Sequence, residues 1–190
     1  MIIKPGDLSL EEVIHYNELS VGKINLGDEI GPYTARDVIR DMEYALTLPG
    51  VIELILFINS PGGGVYDALA VYDFIVELRE TTPVRGVVRG QAASAAAMIV
   101  LQATNPRVST PHSRFLLHEP SQWGHGPETV SSVQDSAGEL ARLHDVILAI
   151  LASRSGKQVG TIRDELARRQ VWLSATEALE WGLIDQVKGW

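Results

Sequence analysis

A serine set among small residues is the first place in this 190-residue chain where chemistry can be located. Ser94 stands in Gly90-Gln-Ala-Ala-Ser-Ala-Ala-Ala97, between the β-branched run 84–88 and the alanine-rich run 95–103. The first run reads as a buried strand and the second as a helix. A serine at such a turn holds its hydroxyl at the positive end of the helix, and the main-chain N–H of Ala95 is free to receive an anion. The small neighbours let a substrate backbone approach. This is the pattern of an exposed nucleophile with half of an oxyanion hole. The same residue fits a plain helix cap, and the local sequence leaves both readings open.

A second turn bears on the first. Asn59-Ser-Pro-Gly-Gly-Gly64 also lies between a strand pattern and a helix pattern. Such turns cradle phosphates, but this one lacks a P-loop lysine and the spacing of a dinucleotide fingerprint. It is better suited to presenting main-chain N–H groups where side chains would obstruct a substrate. Gly63 then supplies a second oxyanion donor beside Ala95.

A nucleophilic serine needs a base, and there are five histidines. His118 ends the apolar run Arg114-Phe-Leu-Leu-His118, where side chains emerge at the rim of a parallel sheet. His112 and His125 fall in turns, His15 in the N-terminal segment and His144 on a long helix. No pair has i, i+4 spacing and the chain has no cysteine, so no metal is expected. A hydrogen-bonded structural histidine is the competing reading of His118.

The elements that must position these residues alternate strand and helix. Residues 1–20 show no clean period and form a segment of uncertain order. A weak strand is expected over 23–30. A helix follows from Thr34, with Asp37 completing a variant capping box and Pro49-Gly50 stopping it. Residues 51–58 are almost continuously apolar, the pattern of a strand covered on both faces. After the glycine turn, Val65, Ala68, Leu69, Tyr72, Ile75 and Val76 share one side of a helix, giving a βαβ unit. Strands are expected over 106–109 and 114–118, and a long helix over 128–154 that projects or packs on a neighbouring subunit. A short helix is expected over 161–169. Ser174-Ala-Thr-Glu177 is a capping box for a last helix, which Gly182 closes before a strand over 183–187. The class is α/β, one domain spanning 1–190.

Composition narrows the function further. The formal net charge of −8, without a basic run, argues against nucleic-acid binding. Residues 1–10 lack the basic and apolar regions of a signal peptide, and the apolar run 92–101 is too short to span a bilayer. A cytoplasmic protein without membrane attachment is expected.

Several segments together resemble one family. Ile58-Asn-Ser-Pro-Gly-Gly63, Val71-Tyr-Asp73, Gly90-Gln-Ala-Ala-Ser94, Ser113-Arg-Phe-Leu-Leu-His-Glu-Pro120 and Leu173-Ser-Ala-Thr-Glu-Ala-Leu-Glu-Trp-Gly-Leu-Ile-Asp185 are similar to signature segments of the Clp protease proteolytic subunit. They span roughly 22–187 in the family's order. The resemblance implies the ClpP/crotonase fold and a serine endopeptidase that cuts peptides or unfolded proteins inside a closed chamber. It implies Ser94 as nucleophile, His118 as general base, and the Gly63 and Ala95 N–H groups as oxyanion donors. Gly62, Gly64, Glu119 and Pro120 then line the substrate. It also implies a homo-oligomeric ring, heptameric or stacked as a tetradecamer, in which the 128–154 helix is the handle between rings. An ATPase unfoldase is the family's partner, though residues 1–20 show little likeness to the family's docking loops. No cofactor is required.

The same alignment shows a departure. It places Gln170 where the family carries its catalytic aspartate. Asp164 does not substitute for it, because six residues on a helix turn about 240° around the axis. The Gln170 amide oxygen can accept the imidazole N–H, an outcome that depends on which way the amide points, but a neutral amide cannot stabilise an imidazolium. Arg168 and Arg169 stand where the family has an acid followed by an arginine, and two adjacent arginines repel unless another subunit offers carboxylates. Two alternatives follow: a weakly active or inactive structural ring subunit, and an acyl-CoA enzyme of the crotonase fold. The Ser94/His118 pair argues against the latter.

Overall fold

The computed structural model describes residues 9–122 and 129–189. Its elements are mixed α/β, as the alternating pattern predicts. The chain opens with a helix, α1 (Leu10–Leu19), where no periodicity was evident. A capping box starts it: the Ser9 hydroxyl accepts the Glu12 N–H and the Glu12 carboxylate accepts the Ser9 N–H. Only Leu19 of α1 is buried, which explains why its apolar pattern is weak. Of the expected 1–20 segment, residues 1–8 lie outside the described residues.

The parallel sheet follows the order β1 (Lys23–Leu26), β2 (Leu54–Ser60), β3 (Val84–Ala93), β4 (Arg107–Ser109) and β7 (Gln186–Val187). The β1 and β7 strands are shorter than the sequence pattern predicts. Helix α2 (Pro32–Thr47) starts at Pro32, whose missing N–H costs nothing in a first turn. The predicted Thr34/Asp37 capping box does not form, because the Thr34 hydroxyl instead donates to the Glu29 carbonyl. Helix α3 (Val65–Leu78) follows the glycine turn directly.

The expectation that β2 is covered on both faces holds for one face only. Leu54, Leu56 and Ile58 are fully buried, whereas Ile55 and Phe57 are half-buried. The Arg89 guanidinium covers the Phe57 ring at 4.2 Å. The enclosed face packs with Met42, Val71, Ile75, Ile99 and Leu101 in one apolar core.

Strand β3 changes partners along its length. Gly86, Val87 and Val88 pair with β4, whereas Gln91, Ala92 and Ala93 pair with β5 (Arg114–His118). The change occurs around Gly90, at φ +95, where a side chain would strike the Asn59 amide. That amide oxygen accepts the Gln91 N–H at 3.1 Å. Strand β6 (Gln170–Ser174) lies antiparallel on β5, in a register from Arg114↔Ser174 to His118↔Gln170. Beyond β3 come a π-helical turn (Ala96–Val100), α4 (Leu101–Ala103), and later the long α5 (Val130–Ser155), which closes at Gly156. Residue 128 of the predicted long helix lies outside the described residues. Helix α6 (Val159–Leu166) ends before the expected residue 169, and α7 (Ala175–Trp181) carries the predicted Ser174/Glu177 capping box.

A buried arginine paired with a partly exposed aspartate locks the far end of this assembly. Arg107 is 4% exposed; it donates to Asp185 Oδ1 at 2.5 Å, Gln102 Oε1 at 2.6 Å and the Gly182 carbonyl at 3.1 Å. Burial pushes the Asp185 carboxyl up. The hydrogen bonds and charge of Arg107 outweigh that and hold it below its ordinary value.

Candidate active site

The turn after β3 puts Ser94 at φ +53, a left-handed conformation uncommon for serine. Holding it costs about 1–3 kcal/mol, which neighbouring bonds must offset. The Ser94 N–H donates to the Leu116 carbonyl at 2.9 Å, and the Ser94 carbonyl accepts from Ala97 and Met98 at 3.0 and 2.9 Å. The residue is thus pinned between β5 and the following turn, with its side chain aimed outward.

His118, last residue of β5, meets it. Its Nε2 lies 2.8 Å from Ser94 Oγ, and its Nδ1 lies 2.6 Å from the Glu119 carbonyl oxygen. A carbonyl can only accept, so Nδ1 carries the proton. In a neutral ring Nε2 is then bare and accepts from the serine hydroxyl. Both side chains are half-buried.

The glycine turn packs against Ser94 so tightly that its residue types are dictated. A Cβ on Gly62, at φ +92, would sit 2.7 Å from the Ser94 Cβ and 2.9 Å from the Ala95 nitrogen. A Cβ on Gly63, at φ +148, would overlap the Ile30 carbonyl oxygen. The Ile30 N–H donates to the Gly62 carbonyl and the Gly64 N–H to the Ile30 carbonyl, each at 2.7 Å. The Gly62 N–H is taken by the Ser60 hydroxyl. This ladder leaves the Gly63 N–H without a main-chain acceptor among the described residues. Ala95 caps the following turn, so its N–H has no intrahelical acceptor either. A narrow cleft lined by Val65, Met98, Ile99, Pro120 and Ile147 opens beside Ser94 and His118.

Of the residues singled out from sequence, Ser94, His118, Gly62, Gly63, Ala95, Glu119 and Pro120 therefore converge, and Gly64 adjoins them as the cap of α3. Gln170 departs from expectation. It lies opposite His118 in the β5–β6 register, yet it is exposed and forms no side-chain hydrogen bond among the described residues. The expected amide–imidazole bond is replaced by the Glu119 carbonyl, which the chain delivers one residue after the ring while the amide faces water. Sequence reasoning missed this partner because a main-chain acceptor has no residue signature. It also missed Met98, Ile99 and Ile147 as cleft residues, since their apolar spacing fits a core face equally well.

The Clp protease family matches residues 11–189. The chain is similar to the ATP-dependent Clp protease proteolytic subunit 1 of Mycolicibacterium paratuberculosis, at 32% identity over 187 residues, covering 97% of this chain and 87% of that one. It is equally similar, at 32%, to proteolytic subunit 2 of Mycobacterium tuberculosis strain H37Rv, covering 97% and 86%. The chloroplastic proteolytic subunit 1 of Arabidopsis thaliana matches at 32% over 185 residues, covering 96% and 92%. With nearly its whole length matched, the chain belongs to the Clp protease family.

Proposed function

We propose that this protein is a serine endopeptidase acting on peptides or unfolded proteins within an oligomeric chamber. The observation that carries this reading is the 2.8 Å contact between His118 Nε2 and Ser94 Oγ, with Nδ1 engaged by an obligate acceptor. In this mechanism Ser94 gives its proton to Nε2 as Oγ attacks the substrate carbonyl. The oxyanion that forms is received by the Gly63 and Ala95 N–H groups, both left without main-chain acceptors. The imidazolium returns its proton to the departing amine. Water then repeats the sequence on the acyl-enzyme, with His118 again the base. The narrow cleft of Val65, Met98, Ile99 and Ile147 gives the scissile bond an apolar wall.

Gln170 contributes no charge here, so among the described residues the Glu119 carbonyl dipole is what stabilises the imidazolium. The tautomer is nevertheless correct, because a carbonyl cannot rotate to offer a donor as an amide can. In trypsin, the loss from replacing the triad aspartate with asparagine, about 10⁴ in turnover, arises from the wrong tautomer. This site therefore escapes most of that penalty. The relatives' names describe proteolytic subunits of ATP-dependent proteases, which supports a peptidase working in an assembly with an ATP-driven partner. On α5, Val130 and Val133 are 78% and 47% exposed, which suits a helix that meets another subunit.

The missing carboxylate at Gln170 favours a second reading, a weakly active subunit retained for structure. A fluorophosphonate probe combined with peptide turnover separates the two. The peptidase reading expects labelling of Ser94, none in Ser94→Ala, and hydrolysis of unstructured peptides. Labelling without turnover supports the structural subunit, and neither labelling nor turnover in the assembled protein removes the peptidase.

A further inference from the structure

We propose that the Glu119 carboxylate is a positioning group for the imidazole, acting through the main chain of its own residue. This rests on the peptidase reading of Ser94 and His118. One end of Glu119, its carbonyl, holds His118 Nδ1 at 2.6 Å. The other end, Oε2, accepts the main-chain N–H of Arg168 at 3.1 Å. Arg168 sits at φ +56, the only non-glycine residue besides Ser94 in the left-handed region among the described residues. That conformation leaves its N–H pointing off the end of α6, where the carboxylate receives it.

Three constraints meet on the one carbonyl. The β5–β6 ladder ends at the pair His118↔Gln170, so nothing in the ladder fixes Glu119. Pro120 confines the residue before it to extended conformations and narrows the directions its carbonyl can take. The bond from the Arg168 N–H ties the Glu119 side chain to the segment that leads into β6. Together they replace a carboxylate aimed at the ring with a carbonyl aimed at the ring. Glu119 thereby touches no substrate in this role; it fixes the acceptor that fixes the tautomer.

The test compares Glu119→Ala with Glu119→Gln in the assembled protein, using a short fluorogenic peptide. Partial occupancy of the wrong tautomer lowers kcat about tenfold in Glu119→Ala, with KM within about twofold. Glu119→Gln, whose amide oxygen accepts the same N–H, recovers most of the loss. In a Gln170→Asp background the Glu119→Ala loss shrinks to less than about threefold, since the new carboxylate takes over Nδ1. Imidazole ¹⁵N spectra of His118 read the tautomer without turnover: Nδ1 is protonated in the wild type, and the two forms mix in Glu119→Ala. A raised KM at unchanged kcat, or an unchanged tautomer in Glu119→Ala, overturns the proposal. If the wild type neither hydrolyses peptide nor reacts with fluorophosphonate, the peptidase reading fails while the tautomer measurement still decides the clamp.

Discussion

The two nitrogens of His118 face regions built to different standards. On the Nε2 side stand Ser94, the glycine turn and the Ala95 cap, where any added Cβ on Gly62 or Gly63 would strike backbone. On the Nδ1 side stand a single carbonyl, an exposed Gln170 and a left-handed Arg168 held by one side-chain bond. In the proposed mechanism the bond-making half of the site is set by crowding among main-chain atoms, and the charge-stabilising half is thin. The molecule does place a carboxylate where a buried cation demands one, at Asp185 beside Arg107. Among the described residues, the lack of a carboxylate on the imidazole is thus local to that region.

The sharpest way to break the comparison is at Ser94. Ser94→Ala should remove peptide hydrolysis by about 10⁴-fold or more, measured by initial rates with fluorogenic peptides. Retained turnover would mean the Nε2 side is not the reacting side. Gly63→Ala should come next, lowering kcat about 10²- to 10³-fold by displacing an oxyanion donor, with circular dichroism as the check on folding. Gln170→Asp works on the other nitrogen and should raise kcat by only about tenfold, because the tautomer is already set. A rise near 10⁴ would show that the carbonyl does not hold the ring.

Asp185→Asn is expected to leave kcat unchanged and to cost roughly 3 kcal/mol in denaturant unfolding, the low end for a broken buried pair because Asp185 is 33% exposed. The sign of its pH dependence follows from the lowered carboxyl. The contribution is complete above the ordinary carboxylate range, near pH 4, and fades as pH falls through the depressed value. The wild type should therefore lose more stability than Asp185→Asn on acidification below that range.

How much of this was legible in the sequence differs by side as well. Ser94, the glycine turn and His118 could be read because small residues at a strand-to-helix turn carry a steric message. Strand β5 and the Ser174/Glu177 cap could be read because a short apolar run and capping chemistry are local. Helix α1 could not, since burying only Leu19 leaves no period to detect. The half-covered face of β2 was invisible too, because Ile55 and Phe57 have the residue types of a fully enclosed strand. The Glu119 carbonyl was the hardest case. Gln170 drew attention as the side chain at the expected position, whereas the acceptor belongs to a peptide group that every residue has.

The switch of β3 from one neighbour to another gives the site a seam. The β5–β6 leaf joins the main sheet through three rungs, Gln91↔Arg114 to Ala93↔Leu116, continued by the Ser94 N–H on the Leu116 carbonyl, so the imidazole hangs from one side of that joint and the hydroxyl from the other. Whatever loosens those rungs would part His118 from Ser94 and also draw Phe115 and Leu117 out of the common core.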